Sequence, residues 1–226
     1  MLKTLNTYLI DKAKLLQKDE RHINSYISTV RGRYCEHNFE LDPKTLLSSL
    51  TESFPTGDPS ADYEMGKRIA TAVQLFSELE VESEIIESDI CGFVQEKLIP
   101  DVCESNNALS INNLESIVWG LGGIGTEQSL SLIETILSDA YHKSFSNYPF
   151  LISACLYAYK TITDKNLFKF FKNNYSRLQN SPMHREEVLI EKIEYFSRNK
   201  NNARDIAMAD YYSYLLEVKN KSKNNI

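Results

Sequence analysis

The chain has 226 residues, 42% of them hydrophobic and 25% charged, the composition of an ordinary globular protein long enough to bury a sizeable core. A net charge of −6 and a sequence pI of about 5.3 argue against general nucleic-acid binding, which leaves a basic footprint with a domain pI above about 9. The four scattered cysteines, Cys35, Cys91, Cys103 and Cys155, include no CxxC and so argue against a disulfide framework, fitting free thiols in a reducing compartment.

The amino-terminal stretch carries Lys3, Asp11, Lys12 and Lys14 and has no apolar core or small-residue cleavage site, so it does not read as a secretory signal. No run approaches the roughly 18 apolar residues of a membrane span, and a cytoplasmic location is the expectation. Apolar residues recur at helical spacing almost throughout, which predicts an all-α chain. Helices are expected at 2–17, 20–34 and 43–53, forming a helical cap over residues 1–55. A turn-rich stretch, SFPTGDPSAD, separates this cap from paired helices.

The first pair lies in EMGKRIATAVQLFSELE and SEIIESDICGFVQEKLI, within 62–104. The second, within 110–140, has a stripe of Ile111, Leu114, Ile117, Val118 and Leu121 behind Ser110 as N-cap. Thr126 then caps a partner carrying Leu130, Ile133, Ile136 and Leu137. A third pair is expected within 148–180: an apolar helix, YPFLISACLYAYKTI, then one capped by Thr163 or Asp164. Ser181-Pro182 opens the fourth, 182–218, with Val188, Ile190, Ile193 and Phe196 as its stripe. The polar tail 219–226 is expected to fray.

Sliding the chain by 38 residues lays Trp119 on Tyr157 and Ile124 on Ile162, and a slip of 45 lays Phe76 on Leu121 and Leu79 on Ile124. Periods near 40 for a helix–turn–helix unit belong to the HEAT and armadillo class of repeats. Residues 116–137 contain WGLGGIGTEQSLSLIETIL, which resembles the HEAT-like repeats common in bacterial proteins, where a helix ends in a pattern like ALGxIG before a polar turn and xxLxxLIxxL. The resemblance implies an α-α superhelix, a HEAT-like solenoid of stacked antiparallel helix pairs in a single domain. It also implies a role in binding another protein, and it names no catalytic residue.

The string GLGGIG matches the dinucleotide-binding GxGxxG through Gly120, Gly122 and Gly125, yet its flanks have helical rather than strand periodicity and no βαβ pattern surrounds it. The better reading is a close helix contact at Gly120 and Gly122, a helix end with positive φ at Gly125, and Trp119 in the core. Cys35-x-His37 is the one metal-like pairing and lacks two further ligands. Glu187, Glu191 and Glu194 read as a solvated helix face. No catalytic residue, cofactor or metal is expected.

Charge distribution suggests where a partner would bind. Between Glu78 and Glu104 nine acidic residues face one base, Lys97, whereas ten bases stand against five acids from Lys160 to Arg204. The acidic stretch, with Glu80, Glu82, Glu84, Glu87 and Asp89, is the candidate surface for a basic protein. Tyr211, Tyr212 and Tyr214 join it, since exposed tyrosine favours interfaces. The expected function is therefore a non-enzymatic, cytoplasmic protein-binding module, of an immunity or antitoxin type that occludes a basic partner. The alternatives are a DNA-binding enzyme similar to HEAT-like alkylpurine DNA glycosylases, using the basic segment, and a structural subunit of a larger complex.

Overall fold

Three aspartates set where three of the early helices begin. The computed structural model describes residues 2–16, 19–52, 54–105, 108–142, 149–163, 186–198 and five positions between 209 and 220; its regular elements are all helical, with no strand among the described residues. Asp19 accepts a hydrogen bond from the Arg21 amide at 2.7 Å and opens α2 (Glu20–Arg33). Asp42 accepts from the amide of Thr45 at 3.0 Å and its hydroxyl at 2.7 Å, opening α3 (Pro43–Thr51). Asp58 accepts from the Ser60 amide at 2.9 Å and opens α4 (Pro59–Glu78). Each carboxylate takes an amide that its helix cannot satisfy internally, and its charge suits the positive end of the helix dipole. Before them, α1 (Leu5–Leu16) has its first amides bonded to the carbonyls of Leu41 and Phe39, both at 2.8 Å. The helices expected over 2–17, 20–34 and 43–53 are present with slightly trimmed ends.

Helix α5 (Ser83–Phe93) runs through one π-helical turn, Val94–Leu98, into α6 (Ile99–Ser105). Pro100 has no amide to continue the α ladder, and just before it the Ile99 amide bonds five residues back to Val94. Lys97, on this wide turn, donates from Nζ to the Thr51 carbonyl at 2.8 Å and so caps the end of α3. Farther along the chain come α7 (Ala108–Ile124), α8 (Glu127–His142), α9 (Pro149–Thr163) and α10 (Glu186–Ser197). Among the described residues no helix is long and apolar enough to cross a membrane.

The chain divides into two compact units, Met1–Leu132 and Ile133–Ile226. In the first, the core is built from Ile69, Leu75 and Phe76 of α4, Ile86 and Ile90 of α5, and Leu114, Ile117 and Leu121 of α7, all buried. Burying a side chain of this size contributes about 1.5–3 kcal/mol. Helices α4 and α7 lie side by side and run parallel: Gly66 meets Asn113, Val73 meets Gly120 and Ser77 meets Gly123 in ascending order. A Cβ on Gly120 would sit 2.7 Å from Val73 Cγ1 and 3.1 Å from the Val73 backbone, so the helices approach to a distance that only glycine allows. Asn113 Nδ2 reinforces the contact by donating to the Tyr63 carbonyl at 3.1 Å.

The glycine cluster is therefore helix interior packed against a neighbouring helix and not a phosphate cradle. Three details differ from the sequence reading. Helix α7 starts before Ser110, whose hydroxyl donates to Asp101 Oδ2 at 3.0 Å instead of capping. Among the described residues the glycine with positive φ is Gly57 (82°), so Gly125 ends α7 without the left-handed turn expected of it. Trp119 is half-buried, while its neighbours Val118 and Gly120 are buried.

In the second unit, Leu151, Ile152, Cys155 and Leu156 of α9 are buried. On α10 the buried residues are Leu189 and Phe196; Ile190, expected in the stripe, is 41% exposed. A helix of 3.6 residues per turn puts Leu189 and Phe196, seven apart, on one face, which rotates the stripe by one position. Glu187, Glu191 and Glu194 are exposed, as the solvated-face reading requires. The expected caps at Asp164 and Ser181-Pro182, and most of the expected fourth pair, lie outside the described residues.

Candidate functional site

The turn joining α4 to α5 is the most structured part of the acidic stretch. The Val81 amide bonds back to the Phe76 carbonyl at 3.0 Å and the Glu80 amide to the Ser77 carbonyl at 3.2 Å, the paired bonds of a Schellman helix end. Phe76 and Val81, the hydrophobic pair that this motif brings together, are both buried. The residue in the left-handed position is Glu80, with φ of 51°, where glycine is the usual choice. Its carboxylate pairs with Lys12 of α1, whose side chain is only 12% exposed. The turn thus holds a charged residue in a conformation that a bare connection would assign to glycine.

Glu82 and Glu84, on either side of the first residue of α5, are exposed. They sit at the positive end of the α5 dipole, which favours their charge. Glu82 also bears on Tyr8 of α1: burial first, and the Glu82 charge second, push the Tyr8 hydroxyl pKa above its ordinary value. Next to the turn, Glu78 Oε2 accepts from Arg33 Nη1 at 2.7 Å and from the Tyr34 hydroxyl at 3.0 Å. Burial and this neighbouring charge raise the Tyr34 pKa to about 12. These contacts tie α1 and α2 to the end of α4.

Glu87 behaves differently from the other acids. It is buried, and its carboxylate is spent on the amino end of α8. Oε1 accepts from the Thr126 amide (2.7 Å), the Ser129 amide (2.9 Å) and the Ser129 hydroxyl (2.6 Å), and Oε2 accepts from the Thr126 hydroxyl (2.6 Å). Burial raises its pKa, but the hydrogen bonds from Ser129 and Thr126 outweigh that and hold it below the usual carboxylate value. Thr126 stands where the sequence places the cap of α8, yet the capping oxygen comes from another helix. Beside it the buried Cys91 thiol is pushed up to about 11 by burial, so it stays protonated and unreactive at neutral pH.

Of the candidate partner-binding residues, Glu80, Glu82 and Glu84 share one turn, with Glu80 already paired. Asp89, farther along α5, lies 3.9 Å from Lys44. Glu87 presents no carboxylate to solvent and leaves the set for that reason. Tyr212 leaves it too: it is buried, its ring stacks on Phe196 with centroids 5.9 Å apart, and burial lifts its hydroxyl pKa to about 12. Tyr211 and Tyr214 lie outside the described residues, as does most of the basic segment 160–204.

The roles of Glu78 and Glu87 escape sequence reasoning because their partners lie about 40 residues away. Cys35 is exposed while His37 is buried, so the two do not share a site. Among the described residues no group of His, Cys, Asp or Glu is placed to hold a metal ion. Comparison of the chain with protein-family models, with curated proteins and with solved structures finds no match.

Proposed function

We propose that the chain is a non-enzymatic protein-binding module, a short HEAT-like stack whose acidic α4–α5 turn meets the basic surface of a partner protein. The observation that carries this reading is the exposure of Glu82 and Glu84 on a turn pinned by the Schellman bonds and the Lys12–Glu80 pair. Carboxylates on a fixed backbone steer a basic partner and set its register, with little ordering left to do on contact. Two further observations favour a stack of repeated pairs. Helices α4 and α7, the first members of the two expected pairs, run parallel with contacting residues 46 or 47 apart in the chain. The second member of one pair, α5, supplies the cap for the second member of the next, α8.

An immunity or antitoxin role suits this chemistry, because such a protein works by covering a basic substrate-binding face. The test is affinity capture from the host with the wild-type chain and with the double variant Glu82→Lys, Glu84→Lys. The wild type retains a basic protein that salt releases, and the variant does not. Equal retention by both, or retention indifferent to salt, contradicts the reading.

A further inference from the structure

The segment between α2 and α3 holds the amino end of α1 through the Leu41 and Phe39 carbonyls. His37 sits in the middle of that segment, its amide bonded to the Tyr34 carbonyl at 3.0 Å. The side chain is completely buried, and neither Nδ1 nor Nε2 has a hydrogen-bond partner among the described residues. Among the described residues, two charged groups act on the ring. Glu36, on the same segment, has Oε1 3.8 Å from Nε2, beyond hydrogen-bonding reach, and Arg68 comes from α4. A neutral imidazole leaves one donor and one acceptor unmet there. An imidazolium would bury a full charge and two unmet donors with Arg68 nearby, which is far less favourable.

We propose that His37 is the latch of an acid-sensitive clasp: a proton on its ring expels it from the interior and releases the 34–41 segment from the amino end of α1. Burial lowers the pKa of the closed ring; Glu36 opposes this and Arg68 adds to it. The released ring titrates near the ordinary histidine value of about 6.5. The closed form is therefore fully favoured above that pH and loses ground as pH falls toward the lower, closed-state value. While the closed ring stays neutral, the open fraction grows about tenfold for each pH unit below 6.5.

The measurement is amide hydrogen exchange of the full chain at pH 7.5 and 5.5, corrected for intrinsic rates. In the wild type, opening at the Leu5 and Asn6 amides is expected to rise about tenfold at pH 5.5, while the Leu79 amide at the end of α4 holds steady. In His37→Phe the rise disappears. A flat response in the wild type, or the same rise in His37→Phe, overturns the proposal. If that variant does not fold, the ring signals of His37 in the wild type decide: a neutral imidazole at pH 6 sustains the latch, and a protonated one in the closed form refutes it.

Discussion

The Glu87 carboxylate accepts four hydrogen bonds from the first turn of α8, two of them from backbone amides. Glu87→Gln keeps the shape but leaves some of those donors facing an amide nitrogen, and charged hydrogen bonds are the stronger kind. It is expected to destabilise the chain by about 2–3 kcal/mol at pH 7 in urea unfolding. The sign of the pH dependence follows from the depressed pKa. The stabilisation is complete above the ordinary carboxylate pKa and is lost as pH falls through the lower, folded value, so the gap between variant and wild type closes in acid. A gap unchanged at pH 3 contradicts that role. Glu80 makes a backbone prediction instead. At its φ of 51°, Glu80→Gly is expected to be more stable than Glu80→Ala by about 1 kcal/mol, the reverse of the order inside a helix. Both variants lose the Lys12 pair, so their difference, read from denaturation midpoints, isolates the strain.

Helices α4 and α7 depend on the absence of a side chain at Gly120. Gly120→Ala gains helix propensity of about 1 kcal/mol, but its Cβ meets the Val73 backbone, which cannot rotate away. The net expectation is a loss of about 1–2 kcal/mol, measured by thermal or urea unfolding, since overpacking costs about 1–3 kcal/mol. A stabilised variant would mean that the two helices do not approach this closely. Much at this scale is legible in the sequence. Helical period places α1 to α5, α7 and α8, and the glycines announce a close contact, made at Gly120 and Gly123 where the sequence pattern points to Gly120 and Gly122. What stays hidden depends on distant partners or on backbone: Glu87 capping α8, Lys97 capping α3, and a glutamate in a left-handed turn. The burial of Tyr212 is hidden for the same reason, because a tyrosine-rich helix reads equally as interface or as packing.

Across the first unit, the acidic stretch is less free than its sequence suggests. Glu78, Glu80 and Asp89 are matched by Arg33, Lys12 and Lys44, and Glu87 is buried. These pairs use basic residues of α1, α2 and α3 to fasten the amino-terminal helices to α4 and α5. Among the acids from Glu78 to Asp89, what remains for an outside partner is concentrated at Glu82 and Glu84. A broad acidic face would tolerate the loss of any two charges, whereas a fixed pair would not. Reversing both carboxylates leaves the four hydrogen bonds of Glu87 and the Lys12 pair in place, so a folded variant is expected. The most direct measurement is the affinity of the captured basic partner for the wild type and for Glu82→Lys, Glu84→Lys, at about 50 and 300 mM salt, where screening of exposed charges differs most. Binding to the wild type that weakens with salt, and a loss of at least about tenfold in the variant at low salt, is the expected result; a folded variant that binds as tightly as the wild type would contradict a partner site at this turn.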